Sequence, residues 1–157
     1  MIYLAADHAG FEQKEEIKKY LEELGEEYTD KGPDHFDQAD DYPDFAYPAV
    51  ASMNPEKDRA ILFCGSGQGM AILANKVQGI RAAVVWNHDQ AVVSRQDDDA
   101  NVMTVGSRFE NTEEVKDAVK AFLNTPFSGA ERHVRRLNKV RDVENKTFAS
   151  VKSAYNE

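Results

Sequence analysis

Ala60-Ile61-Leu62-Phe63-Cys64 runs straight into Gly65-Ser66-Gly67-Gln68-Gly69, and a helical pattern opens at Gln68 and continues to about Lys76. An unbroken apolar run with no polar alternation suits a strand buried on both faces, as in a parallel sheet. Three alternating glycines let the backbone turn tightly and present N–H groups to an anion. The helix start beyond them adds the positive end of its dipole. The turn is not the dinucleotide fingerprint, because Met70 stands where the third glycine belongs. It is not a P-loop either, since no Gly-Lys-Ser/Thr follows.

The same strand–turn–helix unit recurs on both sides of this stretch. Apolar runs lie at Ile2–Ala6, Ala82–Trp86 and Val102–Val105, with a weaker one at Glu27–Thr29 before Asp30-Lys31-Gly32-Pro33. Between them, Ile17, Tyr20, Leu21 and Leu24 recur at helical spacing, predicting a helix over Phe11–Leu24 closed by Gly25. Val115, Ala118, Val119 and Phe122 repeat that spacing behind a candidate N-cap, Asn111, and Thr125-Pro126 ends it. Shorter helical patterns fit Phe45–Met53 and Asp89–Arg95. Five βα units followed by an extra C-terminal helix imply an α/β fold with a parallel sheet, right-handed crossovers and helices on both faces. Ligands of such sheets bind at the carboxyl ends of the strands.

Composition narrows the function. The 157 residues fit one domain, 41% are apolar and 30% charged, and the net charge is −9. That charge argues against a general nucleic-acid or anionic-membrane binder. No apolar run approaches the ~18 residues of a membrane span. The start shows neither a basic region nor a cleavage-like site. A lone cysteine excludes an internal disulfide and a thiolate zinc cluster. The expectation is a cytoplasmic protein without membrane or nucleic-acid partners. Residues 22–45 carry ten Asp or Glu against one Lys, whereas Arg132, His133, Arg135, Arg136, Lys139 and Arg141 gather in ten residues. Such a concentration fits a small anion or simply a solvated helix. Residues 144–157 are polar and without motif, either helical or frayed.

The candidate site residues cluster where strands end. Asp7-His8-Ala9-Gly10 follows the first strand, as a polar ligand contact or as an Asp cap with a bystander histidine. Cys64, at the mouth of the glycine turn, is a thiolate base or a small buried hydrophobe. Arg108 follows the last strand in Val105-Gly106-Ser107-Arg108, on the side of the same crevice. Arg132 and Arg136 stand at i, i+4 on one helix face, a spacing from which guanidinium forks can grip phosphate. Asp97-Asp98-Asp99 tempts as a metal site, but adjacent residues point apart and a solvated or capping role fits better.

Taken together, Ala6-Asp7-His8-Ala9-Gly10, Asp41-Tyr42-Pro43, Cys64-Gly65-Ser66-Gly67, Ala74-Asn75-Lys76, Gly79-Ile80-Arg81-Ala82, Ser94-Arg95-Gln96, Asn101-Val102, Gly106-Ser107-Arg108 and Arg132-His133…Arg136 resemble type B ribose-5-phosphate isomerases and the galactose-6-phosphate isomerase subunits over residues 1–143. The resemblance implies a Rossmann-like three-layer α/β/α sandwich with a five-stranded parallel sheet. It implies a homodimer, sometimes a dimer of dimers, with active sites shared between subunits. It also implies aldose–ketose isomerisation of a phosphosugar through an enediolate, without metal or cofactor. Carried over, Cys64 is the proton-shuttling base, and Asp7, His8 and Tyr42 are substrate contacts. Gly65, Ser66, Gly67, Gln68 and Gly69 cradle the enediolate oxygen. Arg108, Arg132 and Arg136 hold the phosphate, and His133 beside them is a further candidate substrate contact.

The chain departs from the family pattern at Arg95-Gln96-Asp97-Asp98. Asp97 stands where many members have a ring-opening histidine, and Asp98 replaces a substrate-contacting asparagine. Met70 stands where another branch has a glutamate base, which leaves Cys64. An ordinary Asp is ionised at neutral pH and has no proton to give. Three routes to ring opening stand open: Asp97 as the acid, His88 or His133 in its place, or a substrate that arrives open. The competing readings are isomerisation of an allose or galactose 6-phosphate, a relative that binds phosphosugar without catalysis, and a flavodoxin-like nucleotide module.

Overall fold

The computed structural model describes the backbone of residues 1–154 and the side chains of residues 1–148. Five strands, β1 (Ile2–Ala6), β2 (Tyr28–Asp30), β3 (Arg59–Cys64), β4 (Ala82–Val84) and β5 (Val102–Gly106), form one sheet in the order β2-β1-β3-β5-β4, every pair parallel. The register sets Ala6 beside Phe63 and Cys64 beside Gly106, so the ends of the three central strands share one rim.

Six helices cover the sheet: α1 (Phe11–Leu24), α2 (Pro43–Ala51), α3 (Gln68–Ala74), α4 (His88–Gln96), α5 (Thr112–Asn124) and α6 (Glu131–Ala154). Strand side chains alternate between two cores. Leu4, Ala6, Ile61, Phe63, Met103 and Val105 face α1, α4 and α5. Ala5, Ala60, Leu62, Cys64 and Val102 face α2 and α3. This is the three-layer α/β/α arrangement expected of βα alternation.

Local chemistry sets the helix ends. Gly25 takes φ 74° and its N–H donates to Glu22, ending α1, and the Asn111 side chain accepts from Glu114 N to start α5. Four segments differ from the sequence reading by more than a residue or in what they bury. α2 begins and ends two residues before Phe45–Met53. The fourth strand stops at Val84 and not Trp86, because the backbone turns toward Asn87, whose side chain caps α4. α3 ends at Ala74, two residues short of Lys76. In α1, Leu24 is exposed and Lys14 takes a core position with Ile17 and Leu21. Its ammonium is satisfied there by both Asp30 oxygens at 2.8 and 2.7 Å and by Pro33 O at 2.7 Å. A buried lysine needs such partners.

α6 runs without a break through residues 143 and 144. Glu144 accepts from Gly79 N at 2.7 Å, and Asn145 accepts from Gln78 at 3.3 Å, so this stretch docks on the turn before β4. Of the polar tail, residues 155–157 lie outside the described residues.

Candidate functional site

The carboxyl rim assembles the first group of sequence-identified residues. Asp7 leaves β1 and folds back: its carboxylate accepts from Ala9 N at 2.9 Å and Gly10 N at 3.2 Å. Gly10 is required for this turn, since a Cβ there would lie 2.5 Å from Phe63 Cβ and 2.6 Å from the Phe63 carbonyl carbon. Burial pushes the Asp7 carboxyl above its ordinary value, against the opposing Gly10 and Ala9 N–H groups and His8. His8 follows, with ring Nδ1 2.7 Å from Asp40 Oδ1, and its backbone N–H donates to the same oxygen at 2.8 Å.

Cys64 ends β3 with its sulfur buried against the glycine turn. Gly67 N donates to Sγ at 3.1 Å, in a left-handed conformation (φ 75°) that a side chain would strain. The N–H groups of Gly65 and Ser66 donate to no described residue, so two donors stand free beside the thiol. Gln68 N donates to Ser66 Oγ at 3.3 Å and opens α3. Opposite the turn, Arg108 is held by its own N–H on Gly65 O, and its guanidinium lies against Gly65, 2.8 Å from where a Cβ would stand. Tyr42, at the start of α2, closes the other side with its ring against Gly69. Asp7, His8, Tyr42, Cys64, the residues Gly65–Gly69 and Arg108 therefore gather at the carboxyl rim of the sheet.

The second group lies elsewhere. α4 and α5 run back from the carboxyl rim, so Asp97, Asp98 and the start of α6 sit at the amino end of the sheet. A strand of five or six residues separates the two groups by about 17–20 Å. Asp97 closes α4, and its Oδ1 lies 3.5 Å from His133 Nε2. That nitrogen is buried and has no hydrogen bond among the described residues. Asp98 lines a groove of about 610 Å³ with Ile80, Arg81, Leu137, Val140 and Phe148. Asp99 turns the third way, onto Arg81 at 2.9 Å and Arg95 at 2.8 Å. Arg132 and Arg136 are exposed on α6 and bond to none of the described residues. His88 opens α4 on the carboxyl side of the sheet, where its ring pairs with Asp117 at 3.2 Å.

Two carboxylates escaped the sequence reading. Asp40 reaches His8 across 32 residues, and only its place beside Asp41-Tyr42-Pro43 could have drawn attention. Glu110 accepts from Gly106 N at 3.0 Å while its other oxygen is buried without a partner among the described residues. Burial pushes its pKa up to about 7, against the Gly106 N–H.

Residues 2–140 match the Ribose/Galactose Isomerase family. A probable ribose-5-phosphate isomerase B of Mycoplasma genitalium is 40% identical over 148 residues, covering 93% of this chain and 97% of that protein. A putative sugar phosphate isomerase of Bacillus subtilis is 39% identical, covering 94% and 99%. The crystal structure of ribose-5-phosphate isomerase B from Mycoplasma genitalium with bound ribulose-5-phosphate superposes with a TM-score of 0.89 at 40% identity, over 92% of this chain and 95% of that one. The chain therefore belongs to the ribose/galactose isomerase family and is an isomerase.

Proposed function

We propose that this chain interconverts ribose 5-phosphate and ribulose 5-phosphate, with Cys64 moving the proton. The reading rests on one observation above all: a thiol with a fixed N–H on its sulfur, flanked by the free N–H groups of Gly65 and Ser66 and by Arg108. As thiolate, Cys64 takes the C2 proton of the open aldose, and the electron pair moves into an enediolate. The developing oxyanion meets donors already in place, which is where such donors stabilise most. The proton returns to C1 and a hydroxyl proton passes from O2 to O1, leaving the ketose. Proton transfer by a placed side chain contributes roughly 10²–10⁴-fold. A phosphate grip orients the reacting carbons.

That grip is split in one copy, with Arg108 at one rim and Arg132 and Arg136 about a strand length away. We take the complete site to lie between two copies, each supplying its α6 start to the other's crevice. The exposed Val140 and Val143 along α6 suit such a contact. A second reading, a different sugar phosphate, gains from Asp97, whose carboxylate stands beside His133 at the end that would enter the partner's crevice.

Turnover of ribose 5-phosphate by the purified protein tests the proposal, alongside Cys64→Ala. We expect turnover in the parent and a loss of about 10²–10⁴-fold in the variant, with ribose 5-phosphate binding retained. A Cys64→Ala chain as active as its parent would exclude the thiol as base. An inactive parent that still binds would favour the other sugar phosphates.

A further inference from the structure

The isomerase reading gives His8 a substrate contact but does not say what holds it. The ring leans edge-on against Phe36 at 6.5 Å and is partly exposed, whereas Asp40 beneath it is about nine-tenths buried, with 7% of its side chain accessible. One Asp40 oxygen takes both the His8 backbone N–H and ring Nδ1, and the other is buried with no partner among the described residues. An orphaned buried carboxylate oxygen costs stability, so packing alone would not favour it here. Nε2, across the ring from Asp40, bonds to no described residue.

We propose that Asp40 is the positioning residue of His8: its carboxylate takes Nδ1–H and orients the ring so that Nε2 faces the crevice and, in the protonated ring, donates as a cation to the phosphosugar. Neutral histidine presents either nitrogen, and its tautomer is set by what the other nitrogen bonds. Asp40 acts by hydrogen bond and by charge. The Asp40 bond holds the His8 pKa above its ordinary value, partly opposed by burial and aided by Asp7. Asp7 and Asp40 are the charged groups facing this ring, since Lys14 of α1 is turned onto Asp30 and Pro33.

The inference rests on the isomerase reading for its consequence but not for its test. With four histidines in the chain, the His8 imidazole resonance is identified by its loss in His8→Gln. Above the His8 midpoint the parent's nitrogen shifts should report the neutral Nδ1–H tautomer, and in Asp40→Asn that midpoint should fall by about one unit or more. Asp40→Glu should recover part of the fall. In turnover, Asp40→Asn should raise KM for ribose 5-phosphate by up to about tenfold at pH values between the variant and parental His8 midpoints and leave it near parental below both, with kcat little changed. An unchanged His8 midpoint in Asp40→Asn, or a KM raised equally at every pH, would overturn the assignment. If the parent turns over no ribose 5-phosphate, the isomerase reading falls, while the midpoint and tautomer still decide the role of Asp40.

Discussion

The two ends of the sheet are built by different means. At the carboxyl rim nearly every functional group is pinned by the backbone. Asp7 is held by two N–H groups, Cys64 by Gly67 N, Arg108 by Gly65 O, and Gly10 presses its Cα onto Phe63. At the amino end Arg132 and Arg136 stand exposed on one helix, and the best-buried group, His133, lacks a hydrogen bond for its Nε2. Chemistry that must place atoms to within fractions of an ångström needs the first kind of support. Gripping a phosphate by its charge tolerates the second, provided another surface completes the enclosure.

The largest effect should come from removing the close approach at the rigid end. Gly10→Ala would drive a methyl group to 2.5 Å from Phe63 Cβ, against strand backbone that cannot yield. We expect a loss of about 4 kcal/mol or more, read as a fall in the urea midpoint, together with loss of turnover. A Gly10→Ala chain of parental stability would show that the rim is softer than its contacts indicate.

At the open end the expected damage is to function alone. Arg132→Ala with Arg136→Ala should leave the urea midpoint near parental, because neither side chain bonds to a described residue, and should cut kcat/KM by about 10²-fold or more. Mixing that double variant with Cys64→Ala sharpens the comparison. In a randomly reassorted dimer, half the molecules carry one chain of each kind and one of their two sites is intact, so about a quarter of parental activity should return. If each crevice were completed by its own chain, mixing would return nothing.

The same contrast explains what was legible in the sequence. The unbroken runs Ile2–Ala6 and Ala60–Cys64 and the glycine turn are local patterns, and they placed the sheet, its rim and the Cys64 crevice. Lys14 was not legible as core, because its burial depends on Asp30, sixteen residues on and at the end of β2. Asp40 was missed for the same reason, since its partner is 32 residues away. The shared end of Asp97, His133, Arg132 and Arg136 follows from helix direction, which the motifs do not encode.

The Lys14–Asp30 pair beneath the rim offers an intermediate test. Asp30→Asn would leave a fully buried ammonium short of its main counter-charge. We expect a cost of about 3 kcal/mol in urea denaturation. Lys14 and Lys18 hold the Asp30 carboxyl below its ordinary value despite the opposing cost of burial. A depressed folded pKa stabilises above the unfolded value and is lost as pH falls through the folded one. The difference between parent and variant should therefore shrink in acid. A difference that holds constant to low pH would mean that packing, not charge, is what the substitution removed.

The smallest effect belongs to Glu110, which supports the rim from below. Burial raises its folded pKa from 4.5 to about 7, and only Gly106 N opposes the rise. Between those values the unfolded chain has released a proton that the folded chain keeps. Folding therefore takes up a proton there, and this group's contribution favours the fold in acid and fades as pH rises toward 7. Glu110→Gln keeps an acceptor for Gly106 N and removes the titration. It should flatten the fall in stability between about pH 4.5 and 7. Equal slopes for the two proteins would mean that Glu110 titrates in the fold as it does in water, and that the rim at Gly106 is wetter than its buried, unpartnered oxygen indicates.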